Sequence, residues 1–333
     1  MRALVYLGPR RLEVRDVPDP VPGAGEARVR VAAAAICGSD LHAFREPSPR
    51  RVPPLVMGHE VVGFVEEVGE EVGDSLMGTR VAAMPIVSCG TCRLCSDGRP
   101  NLCPSRGLMG MHFPGAFAQA FKIVATQLIP LPERLSDAAG SLAEPFANSI
   151  HAVDRAVCAG DEVLVIGAGA IGLFAARAAA LAGARRVFAV DPLQDRLELA
   201  AAQGAVPIRV GEAVGTIEKA TRGRGVDVAI DAAGFPSAWE LALEAARPGG
   251  RVEALGLGAS EGPISYHAIV SKGIEIRGSY GCLRRDFERA MSLLSDGAVD
   301  VAGWITEMSL AEGHRAFEYL VDGARFTKVV LVP

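Results

Sequence analysis

One stretch of the chain constrains the fold more than any other, because its pattern predicts a strand, a glycine loop, a helix and a second strand in succession. The apolar run 163–166 leads into Gly167, Gly169 and Gly172, which have the spacing G-x-G-x-x-G. An alanine-rich segment follows, and then Arg186 and the apolar run 187–190. Parallel strands need a helical crossover of this kind, so the stretch predicts a βαβ unit of a doubly wound parallel sheet.

The loop has the properties of a dinucleotide-binding site. Gly167 permits a tight turn, and Gly169 lets backbone N–H groups approach a pyrophosphate at the positive end of the helix. Gly172 allows the helix to pack closely on the strand. Together with Ala170 and Ile171, these glycines are the residues that we expect to bind the cofactor.

An acid at the end of the second strand bears on which dinucleotide binds. Asp191 lies 19 residues after Gly172, where a carboxylate accepts hydrogen bonds from ribose hydroxyls and repels a 2′-phosphate. Asp191 therefore favours NAD over NADP, although the same acid could simply cap the following helix. Arg185 and Arg186 leave a route to NADP.

Four cysteines form a second local motif. Cys89, Cys92, Cys95 and Cys103 have the spacing C-x2-C-x2-C-x7-C in a polar stretch. Four thiolates at short spacing predict a closed, tetrahedral structural zinc site that folds a lobe over about residues 88–104. An iron–sulfur cluster would need three residues before its last cysteine, and here there are seven. A nucleic-acid-binding zinc ribbon would bring a basic surface, whereas the net charge is -5, so no nucleic-acid partner is expected.

Length and composition suit a protein of two domains. A chain of 333 residues with 50% apolar content can form two cores, and we expect no membrane segment and no signal peptide. Seven cysteines, largely used for metal, indicate a reducing cytoplasm. Residues 1–145 show short strands separated by Pro and Gly, which predicts an antiparallel barrel-like lobe. Later parallel strands are predicted at 226–230, 251–255 and 274–276.

Other metal-ligating residue types are dispersed along the chain. Cys37 ends an alternating stretch, and His59 and Glu60 follow a Pro-Pro breaker. On usage alone Cys37 could be a buried apolar residue, and the His-Glu pair could lie in a surface loop. Cys158 is interpreted as a core residue.

These motifs in this order resemble the zinc-dependent medium-chain dehydrogenase/reductase family. The resemblance extends over nearly the whole chain, to the closing segment 328–331. It implies a GroES-like antiparallel β-barrel catalytic domain and a Rossmann doubly wound parallel-sheet cofactor domain. The expected boundaries are 1–145 for the catalytic domain, 146–280 for the NAD-binding domain and 281–333 for the return to the catalytic domain. The segments that carry the resemblance are Cys37-Gly38-Ser39-Asp40-Leu41-His42 and Gly58-His59-Glu60-Val61-Val62-Gly63.

The resemblance also implies a catalytic zinc held by Cys37, His59 and a carboxylate. Glu144 precedes Pro145, as in the Glu-Pro version of the site, and Glu60 is a second carboxylate candidate. We hypothesise that either carboxylate exchanges with water or substrate. With the structural site this gives two zinc ions per chain. Zinc acts as a Lewis acid on the alcohol oxygen, and the nicotinamide accepts the hydride.

Further roles follow from the resemblance alone. Ser39 and His42 would relay the alcohol proton, although Ser39 could instead cap a helix and His42 could be a surface histidine. Asp40 would orient His59 on the metal. The resemblance implies that Arg196 contacts the adenosine ribose, although an arginine near an acid can equally form a surface ion pair. It also implies that Asn148 approaches the nicotinamide and Lys328 the pyrophosphate.

The predicted reaction is NAD-dependent oxidation of a secondary alcohol or polyol to a ketone. L-threonine 3-dehydrogenase-like and glucose-type sugar dehydrogenase activities also fit a Glu-Pro site. Two other classes remain open, a zinc-free reductase and a non-catalytic dinucleotide-binding homologue. The family resemblance predicts a homodimer or homotetramer.

Overall fold

The computed structural model describes residues 1–322 and 328–333, and the chain divides into two compact units. The first unit contains Met1–Glu144 and Leu283–Pro333, and the second contains Pro145–Cys282. The first unit is therefore built from both ends of the polypeptide. Within the described residues, no helix has the length and apolar content needed to cross a membrane.

The secondary structure alternates between short strands and short helices. The strands are β1 (Arg2–Gly8), β2 (Arg11–Asp16), β3 (Glu26–Ala35), β4 (Leu55–Val56), β5 (Glu60–Val68), β6 (Arg80–Ala83), β7 (Ile86–Val87), β8 (Gly107–Leu108), β9 (Ala120–Val124), β10 (Leu128–Pro130), β11 (Glu162–Ile166), β12 (Arg186–Val190), β13 (Val206–Ile208), β14 (Val226–Asp231), β15 (Ala246–Ala254), β16 (Glu275–Gly278), β17 (Ile305–Ser309) and β18 (Lys328–Val332). The α-helices are α1 (Gly38–Arg45), α2 (Arg93–Ser96), α3 (Asp137–Ser141), α4 (Ala143–Ala156), α5 (Ala170–Leu181), α6 (Gln194–Ala202), α7 (Ala213–Thr221), α8 (Pro236–Ala245), α9 (Tyr266–Lys272), α10 (Arg284–Ser295) and α11 (Gly313–Val321).

The first unit has the predicted antiparallel β architecture. Its largest sheet has the order β10-β6-β5-β3-β18-β17, and β9 also pairs with β3. A three-stranded sheet (β2-β1-β4) and the β7-β8 pair complete the strands of this unit. One pair departs from the antiparallel prediction, because β17 and β18 run parallel.

Alternating burial along β3 explains how the first unit forms its core. Ala27, Val29 and Val31 are buried, and the residues between them are less so, which is the two-residue period of a strand with one face on the core. The Phe44 and Phe317 ring centroids lie 5.3 Å apart, and Phe317 and Phe117 meet edge to face at 5.9 Å. Such aromatic pairs anchor a core beyond their apolar area.

The second unit is a Rossmann fold, as predicted. Its parallel sheet has the order β13-β12-β11-β14-β15-β16, and all five residues of β11 are buried. The strands predicted at 226–230, 251–255 and 274–276 correspond to β14, β15 and β16, with β15 starting earlier, at Ala246. Complete burial of a central strand is expected when helices cover both faces of a parallel sheet.

The second unit also buries a carboxyl group that the sequence analysis did not single out. Glu253 lies in β15 and is 1% exposed. Burial raises the pKa of Glu253 from 4.5 to about 7, despite the opposing positive charges of Arg155 and Arg277. Between these two pH values the folded state binds more protons than the unfolded state, so stability falls as the pH rises through this window.

Replacement of Glu253 by Gln should therefore stabilise the second unit at pH 8, by up to about 3 kcal/mol, and flatten the loss of stability between pH 5 and 7. Thermal unfolding followed at several pH values measures both effects. Glu240→Gln, at an exposed position of α8, is the matched control and should leave the pH profile unchanged. Identical profiles for Glu253→Gln and the unmodified protein would contradict the assignment.

Candidate active site

Strand register brings the dispersed metal-ligating residues of the first unit together. Ala35 at the end of β3 pairs with Glu60 at the start of β5. Cys37 follows the first strand end, and His59 precedes the second. Antiparallel neighbours lie about 5 Å apart, so residues at these two strand ends become spatial neighbours.

The ligand atoms of Cys37, His59 and Glu60 all lie within 4.8 Å of one another. His59 and Glu60 are buried, and Cys37 is half-buried. Glu144, in the first turn of α4, is also buried and acts electrostatically on His59. Sulfur, imidazole nitrogen and carboxylate oxygen form a donor set that suits zinc.

Helix α1 begins at this cluster and carries an acid that faces it. The Asp40 carboxylate accepts a hydrogen bond from the backbone N–H of Cys37 at 3.1 Å. Its other oxygen lies 3.7 Å from Nδ1 of His59, just beyond hydrogen-bond distance. The orienting role of Asp40 therefore stays a prediction.

Arg51 is a buried cation that the sequence analysis did not identify. Its Nη2 donates to the Asp40 carboxylate at 2.8 Å and to the Ser39 hydroxyl at 3.0 Å. Its Nη1 donates to the Ser39 carbonyl at 2.9 Å, and its Nε donates to the Gly110 carbonyl at 3.3 Å. Only 3% of Arg51 is exposed, so this guanidinium fixes both residues that follow Gly38 in α1.

A second buried cation, Lys328, lies against Glu60. Its Nζ is 2.7 Å from one oxygen of the Glu60 carboxylate and 2.6 Å from the other. The Ile36 backbone N–H bonds to the carbonyl of Val329, which places the start of β18 beside the end of β3. Burial opposes the charge of Lys328, but the Glu60 carboxylate raises its pKa. The contact of Lys328 with a pyrophosphate stays a prediction.

The charge of this cluster suits a divalent cation. Burial disfavours protonation of His59, yet the negative charges of Asp40 and Cys37 raise its pKa to about 10. Counting Cys37 as a thiolate and His59 as the neutral imidazole that binds a metal ion, the assembled anions exceed the assembled cations by two. The groups counted are Cys37, Asp40, Glu60 and Glu144 on one side and Arg51 and Lys328 on the other.

The four-cysteine lobe has the dimensions of a tetrahedral zinc site. Four of the distances between its sulfur atoms are 3.5, 3.5, 3.8 and 4.0 Å. Zinc at about 2.3 Å from four tetrahedral sulfurs would separate them by about 3.8 Å. A disulfide would need about 2.05 Å. The residues are Cys89, Cys92, Cys95 and Cys103.

Hydrogen bonds prepare one of these thiols for metal. The sulfur of Cys89 accepts from the Cys92 backbone N–H at 3.4 Å and from the Thr91 hydroxyl at 3.8 Å. The backbone hydrogen bonds from Thr91 and Cys92 are the main cause that lowers the pKa of Cys89 to about 6. A thiolate is the form of cysteine that binds zinc.

In the second unit, the glycine loop has the geometry expected for a dinucleotide. Gly167 has φ +92°, a conformation that favours glycine. A Cβ on Gly172 would lie 1.7 Å from the carbonyl oxygen of Gly167, so only glycine fits. Helix α5 begins directly after Gly169, which directs its free N–H groups toward the loop. Ala170 and Ile171 form its first turn.

Asp191 is fixed at the edge of a cavity of about 340 Å³. Its carboxylate accepts from the backbone N–H of Ala168 at 2.8 Å and of Leu193 at 2.9 Å. The Arg196 guanidinium lies 3.7 Å away, so these two residues form an ion pair at the predicted ribose site. The sequence analysis missed Arg209, which also lines this cavity.

Two arginines that the sequence analysis considered for NADP lie elsewhere. Arg185 and Arg186 are 3.9 and 3.7 Å from the carboxylate of Glu162, at the start of β12. Asp191 follows the end of that strand, and five residues of strand span about 16 Å. They therefore do not adjoin Asp191, and the route to NADP that the sequence analysis left open to them stays a prediction. Cys158, predicted to be in the core, is exposed.

The remaining predicted residues are placed without a test of their roles. His42 is exposed in α1, one turn after half-buried Ser39. Asn148 is half-buried in α4, within the second unit. The relay through Ser39 and His42 and the contact of Asn148 with nicotinamide stay predictions.

Comparisons with known proteins agree with both units. Residues 23–133 match the family model of the alcohol dehydrogenase GroES-like domain, and residues 170–296 match that of zinc-binding dehydrogenase. An L-threonine 3-dehydrogenase of Saccharopolyspora erythraea is 38% identical over 341 residues, covering 99% of this chain and 98% of that one. An alcohol dehydrogenase of Thermus sp. ATN1 has a TM-score of 0.92 at 33% identity, covering 100% of this chain and 99% of that one. An Escherichia coli CFT073 alcohol dehydrogenase complexed with NADH has a TM-score of 0.92 at 31% identity, with the same coverage.

Replacement of Arg51 by Met should destabilise the first unit by about 3–5 kcal/mol, because it leaves the buried Asp40 carboxylate without its cation. Urea denaturation of the zinc-loaded chain measures the loss. The neighbouring Arg50 is exposed, so Arg50→Met is the matched control and should cost little. The double change Arg51→Met with Asp40→Asn should recover part of the loss. Equal stability of the Arg50 and Arg51 variants would show that the buried pair is unimportant.

Proposed function

Because the chain belongs to the zinc-dependent medium-chain dehydrogenase/reductase family, we propose that it oxidises a secondary alcohol or polyol to a ketone and reduces NAD. Family membership itself establishes an NAD(P)-dependent zinc oxidoreductase with a small-molecule substrate. The observation that carries the finer proposal is the convergence of Cys37, His59 and Glu60 within 4.8 Å in the first unit. In the balanced reaction, the carbinol carbon gives a hydride to NAD and the hydroxyl gives a proton to solvent.

Cys37, His59 and one carboxylate would hold the catalytic zinc. Zinc supplies Lewis acidity, which polarises the oxygen of the alcohol or of the ketone in the reverse reaction. Glu60 and Glu144 supply more oxygen donors than a site with an open position needs. The Lys328 ammonium gives Glu60 an alternative partner, which supports our hypothesis that a carboxylate exchanges with water or substrate.

The proton of the substrate hydroxyl needs an acceptor. We assign this role to the Ser39 hydroxyl, with His42 passing the proton to solvent. Arg51 can only donate hydrogen bonds, so the contact at 3.0 Å uses an acceptor lone pair of the Ser39 oxygen. The Ser39 proton is then directed away from the guanidinium, which supports a fixed orientation for the relay.

Three observations support NAD as the cofactor. The glycine loop and α5 form a pyrophosphate cradle, and Asp191 is positioned to accept hydrogen bonds from ribose hydroxyls. A relative of similar fold is complexed with NADH. Arg196 would contact the same ribose. A homodimer or homotetramer, a cytoplasmic location and the absence of nucleic-acid or membrane partners remain predictions.

L-threonine is a second candidate substrate. Its β-carbon carries a secondary alcohol, so the chemistry is the same as for a polyol. The 38% identity to an L-threonine 3-dehydrogenase over nearly the whole chain favours this candidate. Glucose-type sugars are a third option that the same assay tests.

The activity is tested by following NAD reduction at 340 nm with secondary alcohols, vicinal diols, polyols, glucose and L-threonine. We expect turnover with at least one of these, and a loss of roughly a thousandfold or more in kcat for His59→Gln, because the Lewis acid is lost. Cys158→Ser changes an exposed cysteine and should keep full activity. A zinc-loaded chain that turns over none of these substrates would contradict the proposed reaction and favour a binding protein.

The two metal sites are tested by elemental analysis of the purified chain. We expect two zinc ions per chain, falling to one in Cys37→Ser and to one in Cys95→Ser. Only Cys95→Ser should markedly lower the Tm, because a closed site contributes folding energy. The control variant Cys158→Ser should retain two zinc ions per chain. A single zinc in the unmodified chain would reject one of the sites, and absence of zinc would favour a metal-free reductase.

A further inference from the structure

The cavity beside Asp191 contains an arginine that the cofactor assignment above does not use. Arg209 lines this cavity, and it follows the last residue of β13. Val190 and Ile208 are register partners in the parallel pair β12–β13. Asp191 and Arg209 therefore occupy equivalent positions, each one residue beyond its strand.

This placement makes Arg209 the direct neighbour of the ribose-binding acid. Adjacent strands lie about 4.8 Å apart, and equivalent positions on parallel strands direct their side chains to the same side. An extended arginine side chain is long enough to reach across that spacing. Arg209 is exposed, and it makes no hydrogen bond or ion pair with any side chain in the described ranges 1–322 and 328–333.

The guanidinium of Arg209 is therefore available to a ligand, whereas the Asp191 carboxylate uses two of its acceptor sites within the protein. Asp191 is 3% exposed and accepts two backbone hydrogen bonds. Its charge is further offset by Arg196 at 3.7 Å. The three side chains together carry a formal charge of about +1 rather than the -1 of an isolated acid.

We propose that Arg209, with Arg196, lets the adenosine pocket accept the 2′-phosphate of NADP in addition to the 2′-hydroxyl of NAD. This inference rests on the proposed dehydrogenase function and concerns its cofactor range. A guanidinium pairs with phosphate oxygens through two parallel, charge-assisted hydrogen bonds, each about twice as strong as a bond between neutral groups. An arginine beside the ribose is the general means by which a Rossmann fold accommodates a 2′-phosphate.

The repulsion that Asp191 exerts on a phosphate is reduced by its own contacts. Its buried carboxylate is tied to Ala168 and Leu193 and faces Arg196, so part of its field is compensated before any ligand binds. Arg209 remains uncompensated and lies at the exposed rim. A doubly charged 2′-phosphate at this rim would contact Arg209, while an unphosphorylated ribose would contact Asp191.

The test measures binding rather than turnover, on the zinc-loaded full chain. Isothermal titration calorimetry with ADP-ribose and with 2′-phospho-ADP-ribose reports the adenosine pocket without the nicotinamide. For the unmodified chain we expect the two Kd values to lie within about tenfold of each other. Arg209→Ala should raise the Kd of the 2′-phosphorylated ligand by about tenfold or more and that of ADP-ribose by less than about threefold.

Arg185→Ala is the matched control, because it removes the same charge at the other end of the sheet, beside Glu162. The Arg185→Ala variant should have Kd values for both ligands within about twofold of those of the unmodified chain. A higher NaCl concentration should weaken binding of the 2′-phosphorylated ligand to the unmodified chain more than it weakens binding of ADP-ribose. In Arg209→Ala the two ligands should show the same salt dependence.

Two results would overturn the inference alone. One is tight binding of ADP-ribose with no binding of its 2′-phosphorylated form at millimolar concentration. The other is an equal loss of affinity for both ligands in Arg209→Ala, which would indicate that Arg209 contacts the adenine ring rather than the 2′-phosphate. Failure of the unmodified chain to bind either ligand would overturn the proposed dehydrogenase function together with this inference.

Discussion

The pairing of β3 with β5 is the constraint on which the candidate active site depends. The register that pairs Ala35 with Glu60 brings Cys37 and His59, which lie next to these two strand ends, close together. A slip of one residue would turn alternate side chains to the opposite face of the sheet and separate His59 from Cys37. The buried apolar face of β3 opposes such a slip, since it would expose Ala27, Val29 and Val31. Packing of the core therefore determines the geometry of the metal ligands.

Electrostatics adds a second condition to this geometry. The cluster concentrates anionic groups in a buried place, and each arginine or lysine nearby neutralises one particular acid. Arg51 forms an ion pair with Asp40, and Lys328 forms one with Glu60. The remaining excess negative charge disfavours the folded state until a cation binds, so metal affinity and folding of this unit are linked.

Short motifs made much of this molecule predictable. The glycine loop, Asp191 and the cysteine lobe are encoded by local spacing, and family resemblance connected Cys37 with His59. The counter-ions were not predictable, because a basic residue carries no local signal of the acid it will meet. Arg51 belongs to none of the sequence motifs, and Lys328 was expected on a ligand. Register neighbours such as Arg209 appear only when two strands are aligned.

The first unit takes its polypeptide from both chain termini, and this affects the order in which its parts become available during translation. Glu60 leaves the ribosome 268 residues before Lys328, a delay of roughly 10–50 s at ordinary elongation rates. The whole second unit is synthesised within that interval. The nascent N-terminal segment thus carries an acid without its partner while all residues of the second unit are already synthesised, and β18 supplies the ammonium only later.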